Sequence, residues 1–163
     1  MGQPCECSYR KVIKNMSNYP SKLNEIIEML LLVSDQQERR DILIDYAERF
    51  KEVPSEIVKR PFPEENKVPF CESGAYVWTL PHADGTLKFF FAVENPQGIS
   101  AKALCSILAV ALSGEKPESI IKIDEDLVYK IFGEALSMGK NMGLTGIIQR
   151  VVRDAKKYLN SKI

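Results

Sequence analysis

Cysteine is the residue type best placed for chemistry in this sequence, which contains four cysteines and a single histidine, His82. Cys71 lies in the segment Val68-Pro69-Phe70-Cys71-Glu72-Ser73-Gly74, at the end of a stretch rich in proline. The thiolate of a cysteine on a reachable segment is the nucleophile of sulfur chemistry. We therefore take Cys71 as the candidate reactive residue, with a small apolar anchor of its loop as the alternative role.

The other three cysteines are weaker candidates. Cys105 lies among apolar residues of a predicted helix, where a free cysteine behaves as a small hydrophobic residue. Cys5 and Cys7 place two thiols close together, which suits oxidation or a soft metal, but their spacing is not Cys-x-x-Cys and no second ligand pair follows. We predict no metal site and no bound cofactor.

Two further classes of function remain open beside sulfur chemistry at Cys71. A cysteine-dependent hydrolase or transferase would need a base beside Cys71, and His82 is the one imidazole in the sequence. A non-catalytic interaction module would need no reactive thiol at all. The sequence has no G-x-G-x-x-G, Walker-type or H-E-x-x-H pattern, so dinucleotide, phosphate and zinc-protease sites lack support.

Length and composition indicate one soluble domain. The chain has 163 residues, of which 45% are hydrophobic and 27% charged, and this composition excludes disordered and collagen-like proteins. Its 22 basic and 22 acidic residues cancel, so it lacks the basic excess of a nucleic-acid binder. No segment is apolar for the roughly 20 residues of a membrane helix, and no secretory signal is apparent. The low number of cysteines favours a reducing compartment. From the charge balance and the lack of a membrane segment, we expect neither nucleic acid nor a membrane as a partner.

The elements that position Cys71 begin with two helices. Residues 1–20 show no sustained period and are predicted to form a flexible N-terminal extension, with the folded domain over residues 21–163. Apolar residues at helical spacing then predict a first helix: Leu23, Ile26, Ile27, Leu30 and Leu31. Ser34 and Gln37 match a capping box and predict the start of a second helix.

A long loop and a β-hairpin follow these helices. Four prolines between residues 53 and 74 disfavour a long helix or a central strand, and loops of more than about 12–15 residues in compact domains are usually functional. Strand formers at residues 76–80 and 87–93 flank Asp84-Gly85, a strong turn dipeptide. The pattern therefore predicts that Cys71 lies on a loop tip just before a hairpin.

The remaining sequence is predicted to be helical. Residues 100–113 are apolar almost all round, which favours a buried helix behind the sheet, and residues 124–138 show a second helical pattern. Helical spacing continues from Leu144 to Leu159. Helices, then a hairpin, then more helices indicate an α+β domain.

The cysteine loop resembles a known family. The segment Asn66-Lys67-Val68-Pro69-Phe70-Cys71-Glu72-Ser73, with Val77-Trp78 after it, is similar to the active-cysteine loop of the SufE family, the sulfur-acceptor proteins of iron–sulfur cluster assembly. The hairpin and two further segments resemble that family in the same order: Ser100-Ala101-Lys102-Ala103-Leu104 and Gly139-Lys140-Asn141-Met142-Gly143-Leu144. The resemblance covers roughly Leu23 to Leu159.

The resemblance implies a sulfur carrier. In that family the loop cysteine, matched here by Cys71, accepts sulfane sulfur from the persulfide of a pyridoxal-phosphate (PLP) cysteine desulfurase and hands it to a cluster scaffold. The implied partners are a SufS-like cysteine desulfurase, which the carrier stimulates, and a SufBCD-like iron–sulfur scaffold complex. Sulfur is carried covalently as a Cys71 persulfide, and PLP belongs to the partner enzyme, so the chain would not be an autonomous enzyme.

The same resemblance implies the fold, the setting and the residues that bind partners. The family fold is a small antiparallel sheet with helices packed on it, in a monomer or homodimer, in the bacterial cytoplasm or an organelle stroma such as that of a plastid. The implied partner-binding residues are Phe70, Glu72, Ser73, Gly74, Lys102 and Lys140.

Three features depart from the family pattern. Phe70 stands where the family usually has glycine, and the spacing from Cys71 to Trp78 is two residues longer than usual. Lys140 replaces a usual arginine, and lysine cannot reproduce the planar bidentate fork of arginine. Because Pro69 and Phe70 lie directly before Cys71, we hypothesise that the loop is tucked against apolar surface in the free protein and swings out on docking.

Overall fold

The computed structural model describes residues 18–134 and 136–161. Its first two helices are α1 (Ser21–Leu32) and α2 (Gln36–Glu48). The apolar stripe of α1 faces the core, as its spacing predicts: Leu23, Ile27 and Leu30 are buried, and Ile26 and Leu31 are partly buried. The cap of α2 is Asp35 rather than the predicted Ser34, because the Asp35 side chain accepts a hydrogen bond from the backbone N–H of Glu38.

The predicted hairpin is confirmed. Strands β1 (Ala75–Pro81) and β2 (Leu87–Val93) pair antiparallel, with Val77 opposite Phe91. Gly85 adopts a φ of 83° in the connecting turn, a conformation that glycine reaches without steric cost. The two faces of this sheet are both covered: one lies against helices, and the other lies under the loop that precedes β1.

Four more helices complete the described residues: α3 (Ile99–Leu112), α4 (Pro117–Ile120), α5 (Leu127–Phe132) and α6 (Met138–Asn160). Helix α3 is the centre of the core, packing against β2, α1, α2 and α6, while α6 also packs against β1 and α4. The architecture is therefore α+β, with a small antiparallel sheet and helices packed on it, as predicted. Within the described ranges, no helix combines the length and apolar character that crossing a membrane requires.

The predicted helix over residues 124–138 is wrong. Helix α5 stops at Phe132, because Gly133 takes a φ of 76° and the Arg39 guanidinium from α2 binds the free carbonyls of Lys130 and Ile131. Helix α6 then begins at Met138, six residues before the predicted start of the last helix at Leu144. Lys140 consequently lies in the first turn of α6.

The N-terminal boundary also differs. The predicted flexible extension over residues 1–20 lies mostly outside the described residues, so it stays a prediction for residues 1–17. Tyr19 is buried and belongs to the core cluster, so the packed part of the chain reaches back at least to this residue.

Candidate functional site

Cys71 lies at the tip of a loop whose two ends are tied together. The backbone N–H of Val68 donates to the carbonyl of Ala75 at 2.8 Å, and Lys67 forms a bridge with Tyr76. Between these ends the N–H of Gly74 donates to the carbonyl of Cys71 at 3.0 Å, closing a turn. Only a short segment around Cys71 is therefore free of backbone pairing to β1.

A buried ion pair on α6 fixes the segment that leads into this loop. Arg150 pairs with Asp154 at 3.0 Å, with both side chains about 10% exposed. Arg150 also donates to the backbone carbonyl of Glu65 at 2.7 Å, and Asp154 accepts from the Thr79 hydroxyl at 3.0 Å. The 3-10 turn Glu64–Asn66 is thus fastened to both α6 and β1 just before Cys71.

Phe70 has an unusual backbone conformation beside the thiol. Its φ is 59°, in the left-handed region, and it is the one residue other than glycine with a positive φ in the described ranges. This conformation costs a residue that carries a β-carbon about 1–2 kcal/mol. The Phe70 ring lies largely in solvent, since the residue is 80% exposed.

The Cys71 side chain rests against a face of α6 made of glycines. A β-carbon built at Gly143 would lie 3.3 Å from both Cα and Sγ of Cys71, and one at Gly146 would lie 2.9 Å from a methyl group of Val68. Gly139, one turn earlier, faces the carboxylate of Glu72. Close approach of the loop to α6 depends on the absence of side chains at these positions.

Two clefts meet at Cys71. One has a volume of about 690 Å³ and is lined on its outer side by Phe70 and Met142. The other, of about 230 Å³, lies between the start of α3 and the start of α6 and is lined by Ser100 and Lys140. The thiol is half-buried between an outer and an inner cleft, which is consistent with the hypothesis of a tucked loop.

The second thiol near this site is chemically different. Cys105 is completely buried in α3, and this burial raises its pKa above the ordinary value of a thiol, with a smaller contribution from the charge of Cys71. A thiol held in the neutral form is a poor nucleophile. Cys105 is therefore a core residue, as its apolar surroundings predicted.

Most of the predicted partner-binding residues gather around Cys71. Phe70 and Glu72 line the outer cleft, and Ser73 and Lys140 line the inner one. Gly74 has a φ of 63°, and its conformation lets the chain turn into β1. These placements bring the residues together, and their roles stay predictions.

Lys102 lies apart from the two clefts. Its ammonium group donates to the carbonyl of Pro96 at 3.0 Å and so holds the turn before α3. The same turn receives Ser73, whose side chain packs against Gly98, and the N–H of Asn95 donates to the carbonyl of Ser73. In this structure, Lys102 supports the wall of the inner cleft rather than lining it.

His82 is too far from Cys71 to act as its base. Cys71 precedes the start of β1, whereas His82 follows its last residue, Pro81. At about 3.3 Å per residue, seven residues of strand place these ends roughly 20 Å apart. The geometry argues against the hydrolase or transferase that would use Cys71 with His82.

Sequence reasoning missed two groups of residues at this site. The glycines of α6 recur with the spacing G-x-x-x-G-x-x-G, which places them on one helix face, but they read as loop residues because glycine disfavours a helix. The Arg150–Asp154 pair has the i, i+4 spacing of a helical ion pair, yet its contact with Glu65 depends on tertiary structure.

A protein-family model described as "SufE: Fe-S metabolism associated domain" matches residues 24–155. The chain belongs to the SufE family. Membership associates this SufE domain with iron–sulfur metabolism. No curated protein matches the chain significantly.

A solved structure has the same fold as this SufE-family chain. It is the solution structure of a hypothetical protein from Thermus thermophilus, at a TM-score of 0.67 and 22% sequence identity. The match covers 87% of this chain and 98% of the other. At this identity the likeness supports the fold alone.

Proposed function

We propose that this chain is a sulfur acceptor and carrier. Cys71 takes sulfane sulfur from the persulfide of a PLP-dependent cysteine desulfurase and passes it to an iron–sulfur cluster scaffold. The observation that carries the proposal is the half-buried Cys71 thiol at a loop tip between two clefts, in a domain of the SufE family. The loop combines the two needs of a carrier, access for a donor and shelter for the cargo.

The transfer step is a thiol–persulfide exchange. The Cys71 thiolate attacks the outer sulfur of the donor persulfide, a new S–S bond forms at Cys71, and the donor S–S bond breaks. The electron pair of the broken bond leaves with the donor thiolate. The hydrogen of the outer sulfur remains on that sulfur as it moves to Cys71. No external oxidant or reductant is consumed, and the chain itself requires no cofactor for this exchange.

Shelter of the product follows from the two clefts. A persulfide extends the Cys71 side chain by one sulfur atom, and the inner cleft beside Gly143 offers space for it between the start of α3 and the start of α6. Because Val68 and Ala75 tie the loop ends together, a swing toward the donor involves only the short segment around Cys71. The rest of the fold stays in place while the thiol moves.

The proposed carrier also stimulates its donor enzyme. A desulfurase whose own cysteine holds a persulfide cannot begin another turnover until that sulfur leaves. Removal of the sulfur by Cys71 would therefore raise the rate of alanine production from L-cysteine. In this proposal stimulation requires the Cys71 thiol, because docking alone does not clear the donor cysteine.

The proposal is tested by intact mass after incubation with a cysteine desulfurase, PLP and L-cysteine. Wild-type protein should gain one sulfur atom, about 32 Da, that a reductant removes, and Cys71→Ser should not. Cys105→Ala is the matched control, because it removes a buried thiol and leaves Cys71 intact.

Two results would contradict the proposal. A reductant-sensitive gain that persists in Cys71→Ser would place the sulfur on another cysteine. Absence of any gain in the wild type, with a desulfurase shown to be active toward L-cysteine, would favour the interaction module in which Cys71 is incidental.

A further inference from the structure

An exposed apolar patch extends from the outer side of the thiol along α6. It consists of Phe70 and Met138, each 80% exposed, and Met142, which is 49% exposed. Phe70 and Met142 line both the cleft beside Cys71 and a second cleft of about 480 Å³ along α6, and Met138 lines the latter. We call these three residues the apolar rim. Large apolar residues grouped on a surface commonly mark a site of protein interaction.

The folded chain itself gains little stability from Phe70. The ring is largely in water, so it contributes little burial, and the left-handed backbone adds strain. A glycine would take this φ without steric cost. A bound partner that covers the ring would explain why a strained aromatic residue points into solvent beside a nucleophile.

The chemistry of transfer determines what covers it. To form an S–S bond of about 2.05 Å, the donor sulfur must reach Cys71, so the donor surface must come into contact with the adjacent Phe70. We propose that the apolar rim is the docking anchor for the persulfide donor, with Phe70 entering an apolar pocket of that enzyme. This inference rests on the proposed function and adds the residues that recognise the donor. A second copy of this chain on the rim would block the thiol.

The charged residues along α6 indicate which charge the docking surface of the donor enzyme carries. The cleft along α6 is lined by Arg150 and Arg153 and by no acidic residue. Arg150 is engaged by Asp154, whereas Arg153 is exposed and has no ion-pair partner within the described residues. The matching donor surface is an apolar pocket with an acidic side chain at its edge.

The experiment compares an enzymatic with a small-molecule sulfur donor. The rate of Cys71 persulfide formation is measured with a cysteine desulfurase and, separately, with inorganic polysulfide, which needs no docking surface. Phe70→Ala keeps a β-carbon and the backbone strain but removes the ring. It should lower kcat/KM with the desulfurase at least about tenfold, the loss typical of an interface anchor, and leave the polysulfide rate within about twofold.

Matched variants separate the anchor from a general effect on the surface. Val110→Ala removes an exposed apolar side chain on α3, away from the clefts, and should leave both rates unchanged. Arg153→Glu should raise KM for the desulfurase without changing the polysulfide rate, because it places like charges at the edge of the pocket.

The outcomes distinguish failure of the docking anchor from failure of the proposed carrier function. Wild-type rates for Phe70→Ala with both donors would overturn the docking anchor and leave the carrier function standing. Equal losses with both donors would also overturn it, since Phe70 would then act on the thiol itself. Failure of wild-type Cys71 to accept sulfur from the desulfurase, while polysulfide loads it, would overturn the proposed function.

Discussion

At the scale of single residues, Phe70 lowers the stability of the fold and, in our proposal, promotes sulfur transfer from the donor enzyme. We predict that Phe70→Gly raises the free energy of unfolding by about 0.5–1 kcal/mol. Glycine relieves a left-handed strain of about 1–2 kcal/mol, and its greater freedom in the unfolded chain cancels part of that gain. Urea unfolding at neutral pH measures the difference. The same variant should transfer sulfur more slowly from a desulfurase, because the ring is lost.

The matched control is Phe70→Ala. Alanine retains the β-carbon that makes the left-handed conformation unfavourable, so this variant should show no such gain in stability. A Phe70→Gly protein less stable than the wild type would mean that the ring makes stabilising contacts in the folded state that outweigh the strain.

Among elements, α6 carries the glycines that admit the cysteine loop. We predict that Gly146→Ala destabilises the fold by about 1 kcal/mol and speeds alkylation of Cys71. The new methyl group would meet buried Val68 at 2.9 Å, and such overpacking, typically 1–3 kcal/mol, exceeds the gain in helix propensity of about 1 kcal/mol. Urea unfolding and peptide mass mapping after iodoacetamide treatment measure the two effects.

Gly139→Ala is the control on the same face of α6. Its new methyl group would meet only the end of the Glu72 side chain, at 3.1 Å, and that exposed carboxylate can move aside. We expect its stability to equal or exceed that of the wild type, because alanine also favours the helix by up to about 1 kcal/mol, and we expect its Cys71 alkylation rate to match the wild type. Equal effects of the two substitutions would show that Val68 does not position the thiol.

The same glycines explain where sequence reasoning succeeded and failed. Cys71 could be placed on a loop tip because prolines and a turn dipeptide act locally, and the hairpin followed from Asp84-Gly85. Helix α6 was predicted too short because Gly139 and Gly143 weaken the local helical signal. These residues are helical because tertiary packing requires a face without side chains, and short-range patterns do not contain that requirement.

The end of α5 is a second case in which tertiary contacts decide. The apolar period of residues 124–138 continues past Phe132, which favoured one long helix. Arg39 from α2 instead satisfies the terminal carbonyls of α5 across more than 90 residues of sequence, and Gly133 turns the chain. A contact between distant segments cannot be deduced from the spacing within either one.

In the molecule as a whole, a buried polar network ties Tyr19, just before α1, to α5. The ammonium group of Lys130, only 9% exposed, donates to the hydroxyl of Tyr19 at 3.0 Å, and this hydroxyl donates to the carboxylate of Asp124. Burial, followed by the hydrogen bond and the charge of Asp124, raises the pKa of Tyr19 well above its ordinary value of 10. Because of this network, the free energy of unfolding depends on pH in the alkaline range.

The raised pKa of Tyr19 predicts how stability changes with pH. The folded protein holds the phenolic proton more tightly than the unfolded chain, so this stabilisation is complete below about pH 10 and is lost as pH rises toward the folded pKa. The loss reaches at most about 1.4 kcal/mol per pH unit for one group.

Tyr19→Phe should be less stable than the wild type at pH 7 by about 1–3 kcal/mol, because Lys130 loses a buried partner, and its stability should fall less steeply above pH 10. Urea unfolding at pH 7, 9, 10 and 11 tests this, with Cys105→Ala as the control for the buried thiol, whose raised pKa gives a loss that starts about one pH unit lower. Parallel pH curves for Tyr19→Phe and the wild type would show that Tyr19 titrates alike in the folded and unfolded states.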